Sequence, residues 1–166
     1  PFGMGWPGPR VAVGPLRPGA ALDWLLAEAG IGMVLPILHG PFGEDGTVQG
    51  LLDLYDLPYI GSGCAASAVA MDKLRTRQVL QVAGVPLARA YEPAVPLARA
   101  VADDEWPRLV AAIGSPAFVK VDASGSTKGV ARVTRADELA EFFAAFRGIF
   151  RRWFAEQALT GEEITV

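Results

Sequence analysis

Three lysines stand out in a chain that otherwise takes its positive charge from arginine. Lys73, Lys120 and Lys128 stand against 12 Arg in 166 residues. Lys is a compact point charge on a flexible stem, whereas Arg is a planar fork, so a retained Lys suits a site that needs a point charge. Chance survival of three positions is the plain alternative. Lys128 belongs to the run Ser124-Gly125-Ser126-Thr127-Lys128-Gly129. Its glycines let backbone N–H groups turn toward an anion, and its hydroxyls add donors. That composition suits a phosphate and equally suits an exposed turn. The spacing of a Walker loop is absent. A second cluster runs His39-Gly40-Pro41-Phe42-Gly43-Glu44-Asp45-Gly46-Thr47-Val48-Gln49-Gly50. It holds the only His of the chain, two adjacent acids and four glycines in twelve residues. Taken alone, His39 reads as a structural His rather than a ligand, and Glu44 as a candidate cap of the helix that follows. For Asp45 the capping of a following helix is the preferred reading.

Composition bounds the partners. Apolar residues make up 51%, enough to bury a core, and a net charge of −3 does not point to nucleic acid. One cysteine, Cys64, excludes an internal disulfide and fits a reducing compartment. The chain has no Asn, hence no N-glycosylation acceptor, and no apolar run long enough to span a bilayer, so a cytoplasmic protein is expected. It opens on PFGMGWPGPR without an initiator Met and ends on EEITV, which reads as the start of a strand; a fragment of a longer protein is expected. GMGWPG at residues 3–8 matches the dinucleotide fingerprint literally, but no strand precedes it and Trp6-Pro7 does not open a helix there.

The elements that must position these residues follow from period and punctuation. Residues 21–29 read as a helix stopped by Gly30, 33–38 as a buried strand weakened by Pro36, 47–55 as a helix and 58–60 as a short strand, the alternation of an open α/β sheet. Asp72 is placed to cap a helix from Lys73 to Ala83, closed by Gly84. Residues 87–110 read as irregular, and the repeated VPLARA in that stretch as coincidence. Residues 117–121 and 130–133 read as two strands of a hairpin with the Gly-Ser-Thr loop between them. Strand alternation puts Phe118 and Lys120 on one face and Val119 and Val121 on the other. A helix is expected over 137–147, with Leu139, Phe142, Phe143 and Phe146 at one face. Residues 153–157 read as a strand. Glu156, Gln157 and Leu159 then form an extended piece able to read an adenine edge, with Glu163 seven residues after Glu156 able to accept from ribose hydroxyls.

HGPFGEDGTVQG, YIGSG, SAVAMDK, AGVP, FVK, GS-x-x-GV and EQALTGEEITV, in this order from about Val34 to Val166, resemble D-alanine–D-alanine ligases of the ATP-grasp superfamily. HG-x-x-GEDG followed by MDK is specific to this ligase group; the later motifs are general to ATP-grasp enzymes. The resemblance implies a truncated N-terminal open α/β, pre-ATP-grasp domain over residues 1–66, then the first part of an ATP-grasp α+β domain over 67–166. It implies ATP-dependent ligation of two D-alanines through an acyl phosphate, for peptidoglycan precursors, in a parent that is a cytoplasmic homodimer. It implies that Lys73 and Lys120 contact nucleotide phosphates and adenine. Gly125, Ser126, Thr127 and Gly129 would form the loop over ATP, with Ser126 also near the reacting substrate. Glu156, Gln157 and Leu159 would line the adenine pocket, Glu163 would bind ribose, and His39 and Glu44 would border D-alanine. ATP is used with Mg²⁺ or Mn²⁺, whose ligands the resemblance places beyond Val166.

The chain departs from the family in three ways. The family's first strand and Gly-rich loop with an acidic residue are not recognisable, and its last third is absent. Val121 replaces the usual Pro, and Lys128 adds a charge where a small or apolar residue is usual. Half an active site is therefore expected, without ligation by this chain alone, with poor ATP affinity and with marginal stability or association. The other readings are a D-alanine–D-lactate or D-alanine–D-serine ligase, another ATP-grasp enzyme such as a carboxylase, against which HG-x-x-GEDG and MDK argue, and a degenerate nucleotide-binding or interaction protein without chemistry.

Overall fold

The structure, a computed structural model, describes residues 17–27, 31–122 and 129–162. It divides into two compact units, Pro1–Pro36 with Leu51–Gly61, and Ile37–Gly50 with Ser62–Val166. Within the first unit, α1 (Pro18–Ala27) and the second half of α2 (Thr47–Leu54) gather a small core of Leu22, Leu52 and Leu57, against which Val34, Leu51, Tyr55 and Tyr59 pack. Leu51 and Leu52 of α2 and Tyr55 just after it share the buried side, because apolar side chains three and four apart share a helix side.

The expected strand over 33–38 is not present as such. Val34 makes a single parallel bridge to Tyr59, with Val34 N donating to Pro58 O (2.8 Å) and Ile60 N to Val34 O (2.9 Å). Met33, Leu35, Ile37 and Leu38 are exposed rather than buried. Pro36 has no N–H to donate, so the ladder cannot extend past it on this edge. The short strand expected at 58–60 is likewise reduced to the bridge at Tyr59.

The second unit is built on a four-stranded antiparallel sheet in the order β1-β4-β2-β3, with β1 Ala90–Tyr91, β2 Ala117–Val121, β3 Val130–Val133 and β4 Trp153–Gln157. The hairpin and its register appear where period-2 patterning put them, with Lys120 opposite Val130. Ala117, Val119 and Val121 are buried and alternate with half-buried Phe118 and Lys120. The core face carries α5 (Ala102–Ile113) and α6 (Ala136–Phe146). α6 lays Leu139, Phe142 and Phe143 onto the sheet, and Phe143 meets Trp153 edge to face with centroids 4.7 Å apart. Such a pair adds about 1 kcal/mol beyond its buried area. Thr134 anchors the start of α6, its backbone N (2.6 Å) and Oγ1 (2.9 Å) both donating to Glu138 Oε2.

α5 corrects the irregular reading of 87–110. Pro107 lies inside the helix, and a proline removes one helical hydrogen bond. What outweighs it is legible in retrospect. Asp103, Asp104 and Glu105 fill the first turn, where the helix dipole favours acids, and Leu109 and Ile113 are buried one turn apart. A second helix, α3 (Cys64–Met71), was not anticipated in the sequence; it ends at Asp72, which then caps α4 (Lys73–Val82) by accepting from Arg75 N at 3.0 Å.

Glu105 on α5 is buried and is satisfied by Tyr91 Oη (2.7 Å) and Arg108 Nη1 (2.9 Å). Burial, then the hydrogen bond and charge of Glu105, push the Tyr91 phenol up to about 12. A raised folded-state pKa stabilises the fold below the unfolded value of about 10, and that contribution disappears as pH rises toward 12. Tyr91→Phe is therefore expected to lower stability by about 1–2 kcal/mol at neutral pH and to flatten the fall in stability between pH 10 and 12, read from urea midpoints across that range.

Candidate functional site

The sheet face opposite α5 and α6 holds the candidate lysine of β2. Lys120 and Glu156 sit diagonally across the β2–β4 ladder, where Phe118 pairs with Glu156 and Lys120 with Phe154. Cross-strand diagonals bring long side chains within reach. The Glu156 carboxylate is shared: Oε2 accepts from Lys120 Nζ, and Oε1 accepts from Arg77 Nη1. Arg77, on α4, also donates through Nη2 to Ala88 O at 2.7 Å. All three side chains are largely shielded, with 16% of Glu156 and Arg77 and 26% of Lys120 exposed.

Lys73 is the first residue of α4, brought to the sheet by the break after α3. Its backbone N donates to Asp122 O at 3.0 Å, at the point where β2 gives way to the hairpin loop. Burial, and then the positive charge of Lys120, hold the Lys73 ammonium below the usual lysine range, against the opposing charges of Asp122 and Asp72. The fold thus brings Lys73 and Lys120, 47 positions apart in the chain, into electrostatic range of each other. Arg152 bridges the two acids, with Nη2 2.6 Å from Asp72 Oδ2 and Nε 2.6 Å from Asp122 Oδ2. For Asp72, burial works to raise the pKa, but the Arg75 backbone N–H and Arg152 outweigh it and the carboxyl is held low.

Arg77, Arg152, Asp72 and Asp122 form a charged frame around the lysines. From sequence alone Asp72 has only a capping role, and Arg77, Arg152 and Asp122 are not marked as members of the site. The available signal was weak: Asp122 directly follows a strand, and Arg77 lies four residues after Lys73. The remaining candidates sit as follows. Gln157 accepts from Arg89 Nε at 3.1 Å. Leu159 is exposed, beyond the end of β4. Gly129 closes the loop with a left-handed φ of +72°, and its carbonyl accepts from Val121 N at 2.9 Å. Gly125, Ser126, Thr127 and Glu163 lie outside the described residues. Arg77 also lines an open cleft of about 370 Å³ with Gln78, Gln81, Arg89 and Glu92; none of the sequence-derived candidates lines it.

The His39–Gly50 turn is a separate construction. His39 is highly exposed, its Nδ1 3.8 Å from Glu44 Oε1. Glu44 Oε2 accepts from Gly40 N at 2.6 Å, so the acid that could face a ligand also closes the turn. Asp45 accepts from Phe42 N (2.9 Å) and Thr47 N (3.0 Å) at the start of α2, as expected of a capping acid. The Thr47 hydroxyl first, and then these N–H groups, hold its carboxyl below the usual range. Gln49 donates to Gly43 O at 3.1 Å from a buried position.

Comparison with known proteins gives a consistent picture. A family model described as "D-ala D-ala ligase N-terminus" matches residues 19–62. A D-alanine–D-alanine ligase of Synechococcus sp. (strain JA-3-3Ab) is 41% identical over 145 residues, 86% of this chain and 43% of the relative. That of Laribacter hongkongensis is 42% identical over 142 residues, 85% of this chain and 44% of the relative. Among solved structures, the D-alanine–D-alanine ligase of Bacillus anthracis matches with a TM-score of 0.69 at 31% identity, covering 84% of this chain and 44% of that one. The VanG D-Ala:D-Ser ligase of Enterococcus faecalis matches with a TM-score of 0.66 at 29% identity, covering 78% and 37%. The chain spans about two fifths of the length of the curated relatives it matches.

Proposed function

We propose that this chain, which belongs with the D-alanine–D-alanine ligases over the two fifths of their length that it spans, carries the nucleotide side of an enzyme that joins two D-alanines using ATP. In that reaction the γ-phosphoryl group of ATP passes to the carboxylate of a first D-alanine. The amine of a second then attacks the acyl phosphate, and phosphate leaves. Such transfers depend on positioning and on stabilising charge on the phosphoryl oxygens.

In this reading residues 1–66 belong to the substrate-side domain and 67–166 to the start of the ATP-grasp domain. Lys73 and Lys120 meet nucleotide phosphates and adenine. Gly125, Ser126, Thr127 and Gly129 form the loop over ATP, with Ser126 beside the reacting carboxylate. Glu156, Gln157 and Leu159 take the adenine, Glu163 the ribose, and His39 and Glu44 border the first D-alanine. The whole enzyme acts as a cytoplasmic homodimer supplying peptidoglycan precursors. Among the described residues no group of three His, Cys, Asp or Glu is placed to hold a metal ion. The second substrate is read as D-alanine because the curated relatives carry that name; D-serine, as in the Enterococcus enzyme, is the second reading.

The observation that carries the proposal is that the backbone N of Lys73 donates to the Asp122 carbonyl, two residues beyond Lys120, which brings Lys73 into electrostatic range of Lys120, the partner of Glu156. A lysine-acylating ATP probe tests it. Mass spectrometry should find Lys73 or Lys120 labelled and protected by excess ATP. Labelling that ATP does not suppress would contradict the assignment.

A further inference from the structure

We infer that Arg152 is a positioning residue of this site: by bridging Asp72 and Asp122 it fixes where Lys73 stands relative to Lys120. The inference rests on the reading of those lysines as a nucleotide-binding pair, and it adds a residue to which that reading gives no role.

The geometry carries it. Lys73 and Lys120 come from different elements, the start of α4 and the end of β2. The residue before Lys73 is Asp72 and the second residue after Lys120 is Asp122, so a group that holds both acids holds both lysine backbones. Arg152 does so with two nitrogens of one planar fork, Nη2 to Asp72 and Nε to Asp122, each at 2.6 Å. Backbone bonds complete the latch, with Lys73 N donating to Asp122 O (3.0 Å) and Asp122 N to Arg152 O (3.4 Å). Arg152 itself is fixed at the entrance to β4, whose next residue, Trp153, pairs with Val121.

A purely local role explains less. Capping α4 uses Asp72 Oδ1, which accepts from Arg75 N, and leaves Oδ2 for the arginines. Asp122 is buried, and a buried carboxylate is costly unless paired. Two ammonium groups held near each other repel. Carboxylates relieve that repulsion, and Arg152 holds one oxygen of each of the two acids in place. With Arg75, Arg77 and Glu156 included, five cations surround three carboxylates, so the framed site keeps two excess positive charges, the sign a polyphosphate requires.

The test reads the coupling between the two lysines directly. The Lys73 titration is followed by NMR of side-chain-labelled lysine in the full chain, with and without Lys120→Met, in the wild-type, Arg152→Gln and Arg152→Lys backgrounds. Circular dichroism establishes that each variant is folded. In the wild-type background, Lys120→Met should raise the Lys73 pKa, because it removes a repelling charge. In Arg152→Gln that rise should fall to less than half, with an intermediate value in Arg152→Lys, which keeps the charge but loses the fork. If Arg152→Gln does not fold, Arg152→Lys alone decides. An unchanged coupling in a folded Arg152 variant overturns the inference, as does the absence of coupling in the wild type. ATP affinity measured on the same proteins separates the two proposals. Arg152→Gln should weaken it about tenfold. Coupling that depends on Arg152 in a chain that binds no ATP would leave the latch standing and sink the nucleotide assignment instead.

Discussion

Glu156→Ala is expected to destabilise the second unit by about 3 kcal/mol, measured as a shift in urea midpoint with an unchanged slope. Removing one partner of a buried ion pair typically costs about 3–5 kcal/mol, because the surviving charge stays desolvated. Here two cations lose their carboxylate together: Arg77, 16% exposed, and Lys120, 26% exposed. Residual solvent access, and the Ala88 carbonyl that still holds Arg77, place the effect at the low end of that range. Glu156→Gln keeps an acceptor in the same place and should cost about 1–2 kcal/mol. A small and equal loss in the two variants would mean that side-chain packing, not the shared charge, accounts for Glu156.

Gly46→Ala is expected to cost about 2–5 kcal/mol, summing a left-handed backbone cost of about 1–2 kcal/mol and an overpacking cost of about 1–3 kcal/mol. Gly46 has φ +89°, and an added Cβ would lie 2.4 Å from the Cys64 carbonyl oxygen. The obstacle is backbone, so no rotamer change relieves it. Cys64→Ala in the same chain should not rescue the variant, which separates this clash from the 3.3 Å approach to Cys64 Sγ. Glu44 and Asp45 directly precede Gly46, so the same substitution should disturb the turn that sets His39 beside Glu44. Thermal melts of the single and double variants decide the first point, and the His39 side-chain NMR shift reports the second.

Much of the fold was legible because its signals are local. The β2–β3 hairpin follows from alternation in residues 117–121 and 130–133, α6 from Leu139, Phe142 and Phe143 on one face, and the α4 cap from Asp72. The failures also have local causes. Pro107 argued against a helix that burial of Leu109 and Ile113 and an acidic first turn sustain. The run at 33–38 is apolar enough for a buried strand, but Pro36 interrupts its donors and Val34 alone pairs. In the site, lysine scarcity and motif order singled out Lys73 and Lys120. Their frame could not be read, because Arg77, Arg152 and Asp122 gain meaning only when β2, β4 and the start of α4 are brought together. No periodicity connects residues 72, 122 and 152.

Lys73, Lys120 and Glu156 are proposed to meet the nucleotide. Isothermal titration of the full chain with ATP and Mg²⁺, alongside Lys120→Ala, tests it most directly. Weak, saturable binding by the wild type is expected, abolished in Lys120→Ala while the chain stays folded. Equal binding by the two proteins, or none by a folded wild type, would contradict it.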